Sequence, residues 1–529
     1  MAWYNMFCTG LAPWSAPPLS IGQRKCGAGA DQAPSARTSA PRSLGAHGSC
    51  VRSSACPAAV VAYMACRHQE PRIRRRTLQL RDAPGCTQNG CACATQAEDY
   101  PFKSSQDYQH HHVAVRRLAE WQRLLGLHPP EVFAAEPRGH RTRTKLAVAP
   151  GKDGVVLGLF KRGTQEVLPA LGCAALHPVL RQALVRLQKA LDGLKSLALY
   201  DPGVKSAAQS AGGALRFVQL TVERPSQRVQ LVLVWTCKRG PAVPALERLV
   251  ELLWDDDPGD VWHSIWIHWR EPKPNLGNFV FALETSAWEL AQPRALSGGR
   301  RRPGFVYENL DGLEFTFGPF NFQQANLVVF EQILRDMKRM LRERAAEFED
   351  EPVRLLELHA GIGVIGLSLA HELASRRGWA SVALLSSDEN PKCAAPFTAN
   401  ARGIVPDLEV LSEECTFTAG ARVGFSPLSA EEVLDRLSSS NEGPHVLVMD
   451  PPRTGLAPRG RKKAGAADAC VRRIRAMPDL RLLIYMSCGP RSFRADASQL
   501  IEAAPEDTDG SLAGRPFKLL DVKCSTTRI

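Results

Sequence analysis

The 529-residue sequence predicts an α/β protein: a doubly wound parallel sheet in its C-terminal part, preceded by a β-rich α+β region. Three observations carry that reading. After about residue 305, short apolar runs alternate with helical patterns. One of those runs ends in a Gly-rich turn that opens a helix. Between about 140 and 290, strand-like runs instead follow one another with one helical stretch among them.

The elements are justified in chain order. Residues 113–126 (VAVRRLAEWQRLLG) space Val113, Leu118, Trp121, Leu124 and Leu125 at helical intervals. His110, His111 and His112 read as a solvated start to that helix, because three successive His cannot face one metal from it. Strands are expected at Lys145–Val148, Val155–Phe160, Leu215–Val222, Val229–Trp235, Ser264–Trp269 and Phe279–Leu283, with a helix over Pro178–Leu197. The run SGGRRRPG, Ser297–Gly304, marks a boundary. Beyond it Asn326–Phe348 reads as one long amphipathic helix. Val353–His359 is an apolar strand leading through a Gly-rich turn into a helix that runs to Leu373. Further strands are expected at Ser381–Leu385, His445–Met449 and Leu480–Met486. Strand–helix alternation of this kind folds as a parallel sheet with helices on both faces. The division is therefore 1–80, 81–304 and 305–529.

Composition narrows the classes. A hydrophobic content of 44% with 23% charged residues is that of a globular chain. No apolar run reaches the roughly 18 residues a membrane-spanning helix needs, and no obligate protein partner is implied. The net charge is +12, but residues 1–81 hold eleven cations against Asp31 and Glu70. That segment carries +9 and leaves +3 for the rest, so bulk charge is no argument for a polyanion partner. Residues 1–80 are acid-poor and contain Ser and Arg without sustained periodicity. They read as an organelle transit peptide, for plastid or mitochondrion, or as a disordered basic tail. The fifteen Cys are spread through the chain, which points to a reducing compartment.

In LLELHAGIGVIGLSLA, Gly361, Gly363 and Gly366 follow a strand and open a helix. Such a turn lets the backbone approach a ligand and offers free N–H groups. Asp388 ends the next strand, where a carboxylate can accept hydrogen bonds from ribose hydroxyls. These features, of Rossmann-like type, fit a dinucleotide as well as S-adenosylmethionine. Two further motifs end strands: Asp450-Pro451-Pro452-Arg453-Thr454-Gly455-Leu456, and Ser487-Cys488-Gly489-Pro490. The two prolines stiffen the first loop and supply no N–H donors. A Cys in a strand-end turn is placed for chemistry.

GPFNFQQAN (Gly318–Asn326), LELHAGIGVIGLSLA, DPPRTGL and YMSCGP (Tyr485–Pro490), in that order and spacing, resemble the S-adenosylmethionine-dependent RNA uracil-5-methyltransferases, most closely their plant organellar branch. The resemblance implies S-adenosylmethionine as cofactor, RNA (transfer or ribosomal) as partner, and methylation of carbon 5 of a uridine. It implies that Gln323, His359, Gly361, Asp388 and Asp450 serve the cofactor site. Here His359 stands for an aromatic residue and Asp388 for a Glu. Cys488 matches the nucleophile that adds to carbon 6 of the ring.

The chain departs from the family at two places. The family's general base is a C-terminal Glu in a segment resembling His-Val-Glu, and none is found after Cys488; Glu502 and Glu506 are out of position. If the C-terminus is complete rather than truncated, covalent trapping of RNA or slow turnover is expected. Related enzymes also carry a four-Cys cluster. Cys86, Cys91, Cys93 and Cys173 occupy the corresponding places, with shortened gaps, as candidate ligands of a [4Fe–4S] cluster. Arg459–Lys463 is a basic loop that could meet phosphates. The alternatives are a catalytically impaired RNA-binding relative, an NAD-dependent oxidoreductase, and an amino-group methyltransferase that would not need Cys488.

Overall fold

Elements form where their side chains find burial, and two sheets account for nearly all of it. The computed structural model describes Ala59–Cys66 and most of residues 113–527. The longer stretches outside it are 1–58, 67–112, 201–212, 238–242, 271–280, 282–286, 294–301, 409–416, 457–465 and 502–516.

Strands are numbered along the chain. Eight of them form an all-parallel sheet in the order β14 (Val423–Ser426), β13 (Val382–Ser387), β12 (Val353–Leu358), β15 (Val446–Met449), β16 (Leu482–Ser487), β1 (Ala59–Cys66), β17 (Lys518–Thr527), β2 (Glu131–Ala135). Alternate residues feed two cores. Leu355, Val446, Val448, Leu482 and Ile484 face one side, with helices Leu327–Glu343, Val364–Arg377 and Ala394–Ile404. Leu356, Leu447, Met449, Leu483 and Tyr485 face the other, with Val113–Leu124, Ala430–Ser438, Ala466–Ala476 and Pro490–Ile501. Burial on both faces is why these strands read as continuous apolar runs. Each fully buried Leu or Val contributes about 1.5–3 kcal/mol.

From β12 the chain builds outward through β13 and β14, then returns to place β15 on the opposite side of β12. The order reverses there, and the carboxyl ends of β12 and β15 open a crevice, as strand order of this kind requires.

Of the segment 1–80, read as a basic leader, only Ala59–Cys66 lies among the described residues. AVVAYMAC forms β1, paired with β16 (Val61 opposite Ile484) and β17 (Tyr63 opposite Lys523). An uncharged eight-residue run inside a basic stretch was hidden by the average composition.

The second sheet has seven strands in the order β5 (Val167–Pro169), β4 (Gly154–Phe160), β3 (Arg143–Gly151), β6 (Ala214–Glu223), β7 (Arg228–Thr236), β8 (Trp262–Arg270), β9 (Ala287–Pro293). Every pairing is antiparallel except β7 with β8, which the helix Pro244–Asp255 connects. That helix and Pro178–Gly193 cover one face. In the latter Leu180, Ala183, Leu184, Leu187 and Leu191 form the buried stripe. Its start is set by Pro178 at the first turn and by the His177 ring, which accepts a hydrogen bond from Val179 N–H at 3.3 Å. A hairpin, β10 (Val306–Leu310) and β11 (Leu313–Phe317), follows.

One expected element differs, and a second lies almost wholly outside the described residues. The helix from Asn326 stops at Glu343 and gives way to a 3₁₀ turn at Ala345–Phe348. Of Phe279–Leu283 only Phe281 is described, outside any strand, and the strand in that region is β9. At the expected boundary, the Gly304 carbonyl accepts hydrogen bonds from Trp266 Nε1 (2.9 Å), Gln230 Nε2 (2.6 Å) and Ser264 Oγ (3.2 Å), which fastens the connection to the seven-stranded sheet. Among the described residues no helix is long and apolar enough to cross a membrane.

Candidate active site

A cleft lies at the crevice between β12 and β15, bordered by Gln323, Glu357, His359, Gly361, Val448 and Asp450 among others. The Gly-rich turn shapes it. Gly363 adopts φ +81° as the residue capping the helix Val364–Arg377, a conformation that side-chain-bearing residues disfavour. Gly366 is needed for a different reason: a Cβ there would lie 2.3 Å from Oε2 of Glu357. His359 sits at φ +59°, an unusual backbone for a residue with a side chain, and turns the strand end into the cleft.

Glu357 is buried beneath the turn, and the sequence reading missed it. It accepts hydrogen bonds from Gly366 N–H (2.8 Å) and Ser386 Oγ–H (2.8 Å). Burial pushes its carboxyl up to about 7, outweighing those two bonds, which pull it down. The signal was present, since the acid follows the apolar Val353 and Leu355 on the same face of the strand. The folded state therefore holds this proton more tightly than the unfolded chain. The stabilisation is fully present below about pH 4.5 and is lost as pH rises through 7. Glu357→Gln is expected to flatten that slope, on the order of 1–3 kcal/mol between pH 5 and 8. Thermal midpoints across that range check it, and an unchanged slope would refute the assignment.

Asp388 follows β13. Its Oδ2 accepts from Gly361 N–H (2.8 Å) and its Oδ1 from Asn390 N–H (2.9 Å), while burial raises its carboxyl. It thus stands one hydrogen bond behind the cleft wall, bracing the Gly-rich turn. Each oxygen retains a lone pair for a hydroxyl.

Gln323 reaches the cleft on a segment held by the seven-stranded sheet. Arg143 Nη1 donates to Asn321 O (2.6 Å), Gln219 Nε2 to Pro319 O (3.0 Å), and Thr142 N–H to Ala325 O (2.8 Å). Gln323 is 3% exposed, yet neither its amide oxygen nor its nitrogen has a hydrogen-bond partner. A buried amide left so costs on the order of 1–3 kcal/mol for each unpaired group, and a polar ligand in the cleft removes that cost. The residues present therefore suit a nucleoside-bearing cofactor.

Cys488 is half-buried in the turn after β16, next to β15. Two loops meet there. A Cβ on Gly489 would lie 2.9 Å from Arg453 O, and Ser492 Oγ donates to Arg453 O at 2.8 Å. Asp496, on the helix Pro490–Ile501, accepts from Tyr485 OH (2.6 Å) and Leu456 N–H (2.9 Å). One side chain thus joins the strand before Cys488 to the loop after Asp450. Burial and the neighbouring charges of Asp496, Asp450 and Cys488 raise the Tyr485 phenol well above its ordinary value, so it remains a donor.

Of the expected site residues, Gln323, His359, Gly361 and Asp450 line one cleft, Asp388 braces it, and Cys488 lies in the neighbouring strand-end turn. Cys173 is half-buried against the apolar core of the seven-stranded sheet; Cys86, Cys91 and Cys93 lie outside the described residues. Among the described residues no group of three or more His, Cys, Asp or Glu could hold a metal. Arg459–Lys463, Glu502 and Glu506 also lie outside them.

No family model matches the chain. An uncharacterised RNA methyltransferase of Protochlamydia amoebophila is 30% identical over 365 residues, covering 69% of this chain and 79% of the relative. A 23S rRNA (uracil(1939)-C(5))-methyltransferase of Chromohalobacter salexigens is 24% identical over 443 residues, 81% of this chain and 72% of the relative. A solved structure, the Pyrococcus abyssi tRNA (uracil-54, C5)-methyltransferase in complex with S-adenosyl-L-homocysteine, covers 77% of this chain and 82% of its own, with 19% identity and a TM-score of 0.47. With the first relative's identity sustained over most of both sequences, the chain belongs to the RNA methyltransferases, the family that relative's name gives.

Proposed function

We propose that this protein methylates carbon 5 of a uridine in RNA, with Cys488 as the nucleophile and S-adenosylmethionine in the cleft. What supports the reading most is the joining of the Cys488 turn to the loop after Asp450, beside a cleft whose buried Gln323 amide lacks partners. S-adenosylmethionine supplies an electrophilic methyl group. Gln323 and the backbone of the Gly-rich turn orient the cofactor, and Asp388 accepts from ribose.

Carbon 5 of uracil is a poor nucleophile until the ring is activated. The Cys488 thiolate adds to carbon 6, and the ring electrons move to the carbon-4 oxygen as an enolate. The enolate electrons would then bond carbon 5 to the methyl group, the S–CH3 bond breaking with its electrons left on the sulfur of the departing thioether. Loss of the carbon-5 proton to a base returns the electrons to the ring and expels the thiolate. The uridine has to be unstacked for the sulfur to reach it, which single-stranded loops allow most cheaply. The basic N-terminal stretch supports an organellar address, plastid or mitochondrial.

The test is incubation with uridine-containing RNA and S-adenosylmethionine, digestion to nucleosides and mass spectrometry. 5-Methyluridine is the expected product. Methylated amino groups, or binding of NAD in place of S-adenosylmethionine, would overturn the reading. Gln323→Leu is expected to weaken S-adenosylmethionine binding by about 10-fold or more, read by calorimetry, because it removes the polar amide and leaves its volume.

A further inference from the structure

Among the described residues the seven-stranded sheet has helices on one face only. Its other face carries Arg143, Lys145 and Ala147 from β3, Trp266, His268 and Arg270 from β8, and Trp288 from β9, alternating with residues that point to the helices. At one corner an aromatic group gathers. The Trp288 ring lies 4.3 Å from His268, 5.0 Å from Phe281 and 5.7 Å from Phe320, centroid to centroid. Two ammonium groups flank it: Lys145 Nζ lies 4.6 Å from the Phe281 centroid, and Lys392 Nζ 5.9 Å from that of Trp288.

The corner is short of partners. His268 is 0% exposed, yet neither ring nitrogen has a hydrogen-bond partner, and the Trp288 Nε1–H has none either. The charges acting on His268 are Lys392, Arg270 and Lys145, all positive; with burial they push it down to about 3. Burial and Arg143 push Lys145 down to about 7. Positive charge concentrated on aromatic surface, with buried donors unmatched, suits an anion that also carries a flat ring. Phe320 places this corner next to the cofactor cleft, because it belongs to the same segment as Phe322 and Gln323, which line it.

We propose that Lys145, His268, Trp288 and Lys392, with Phe281 and Phe320, form a nucleotide subsite for single-stranded RNA. A backbone phosphate is held between the two ammonium groups, and a base neighbouring the target uridine stacks on the aromatic group. The assignment rests on the proposed function and extends it from the reacting uridine to the strand beside it. Phosphate contacts bring salt dependence, and stacking brings affinity that tolerates any base.

Fluorescence anisotropy with a labelled uridine-containing RNA oligonucleotide, over a salt series, tests it on the full chain. At pH 6, below the value of about 7 to which Lys145 is pushed, Lys145→Gln and Lys392→Gln are each expected to weaken binding several-fold and to lower the salt slope by about 0.7. Trp288→Leu is expected to weaken it on the order of 10-fold with little change in slope. S-adenosylmethionine binding, measured alongside, reports that each variant is folded, and Lys392→Gln decides the matter if Trp288→Leu does not fold. If the wild type binds and methylates RNA while folded Lys145→Gln and Lys392→Gln bind with unchanged affinity and slope, the subsite is wrong and the proposed function stands. If the wild type neither binds nor methylates, both fall. Equal competition by polyglutamate, which has charge but no bases, would assign the corner to acidic peptide and overturn the RNA subsite.

Discussion

Cys488→Ala is expected to lower methyl transfer to uridine by at least about 10³-fold while leaving S-adenosylmethionine affinity within about twofold, because in the proposed mechanism the thiolate creates the nucleophilic carbon and takes no part in holding the cofactor. The measurement is single-turnover methylation of RNA beside calorimetric titration of the cofactor. The same variant should lose any covalent protein–RNA band on denaturing gels, whereas the wild type forms one. That band also reports on removal of the carbon-5 proton: the wild-type adduct accumulates if no group removes it, and multiple turnover at an ordinary rate means that a base does so. Full activity in Cys488→Ala would move the protein to the amino-group methyltransferases, which need no thiol.

Asp496→Ala is expected to be the most destabilising single change near the site, on the order of 3 kcal/mol. It strands the Tyr485 hydroxyl and the Leu456 N–H, both buried, without their acceptor. Part of that loss is offset, since burial raises the Asp496 carboxyl and so makes its own charge costly. Asp496→Asn keeps an acceptor and should cost less than half as much. Denaturant midpoints of both variants check the order. Activity should fall even where Asp496→Asn remains folded, because the strand before Cys488 and the loop after Asp450 lose their shared tie. Equal stability of wild type and Asp496→Ala would show that the tie contributes nothing.

How much of this was legible follows from the range over which each signal acts. The parallel sheet could be read because β12, β15 and β16 are buried on both faces, so their sequences are mostly apolar and end at recognisable turns. Gln323, His359, Gly361, Asp450 and Cys488 could be picked out because motifs are local in sequence. Glu357 was passed over because its significance depends on Gly366 and Ser386 closing round it. β1 was passed over because its partners lie more than 400 residues away, and nothing near it in sequence signals their presence.

The sequence by itself determined the order of elements, the glycine-rich turn and the chemistry available at each strand end. These depend on backbone conformation and burial preference, which neighbouring residues largely set. Only the tertiary structure decided that Asp388 braces the turn through Gly361, that Asp496 ties the two strand-end loops, and that Arg143 and Gln219 of a separate sheet carry the segment bearing Gln323. Those are hydrogen bonds between groups from 11 to 178 residues apart. They form only once burial removes water as a competing partner and the sheet has brought their strands to one place.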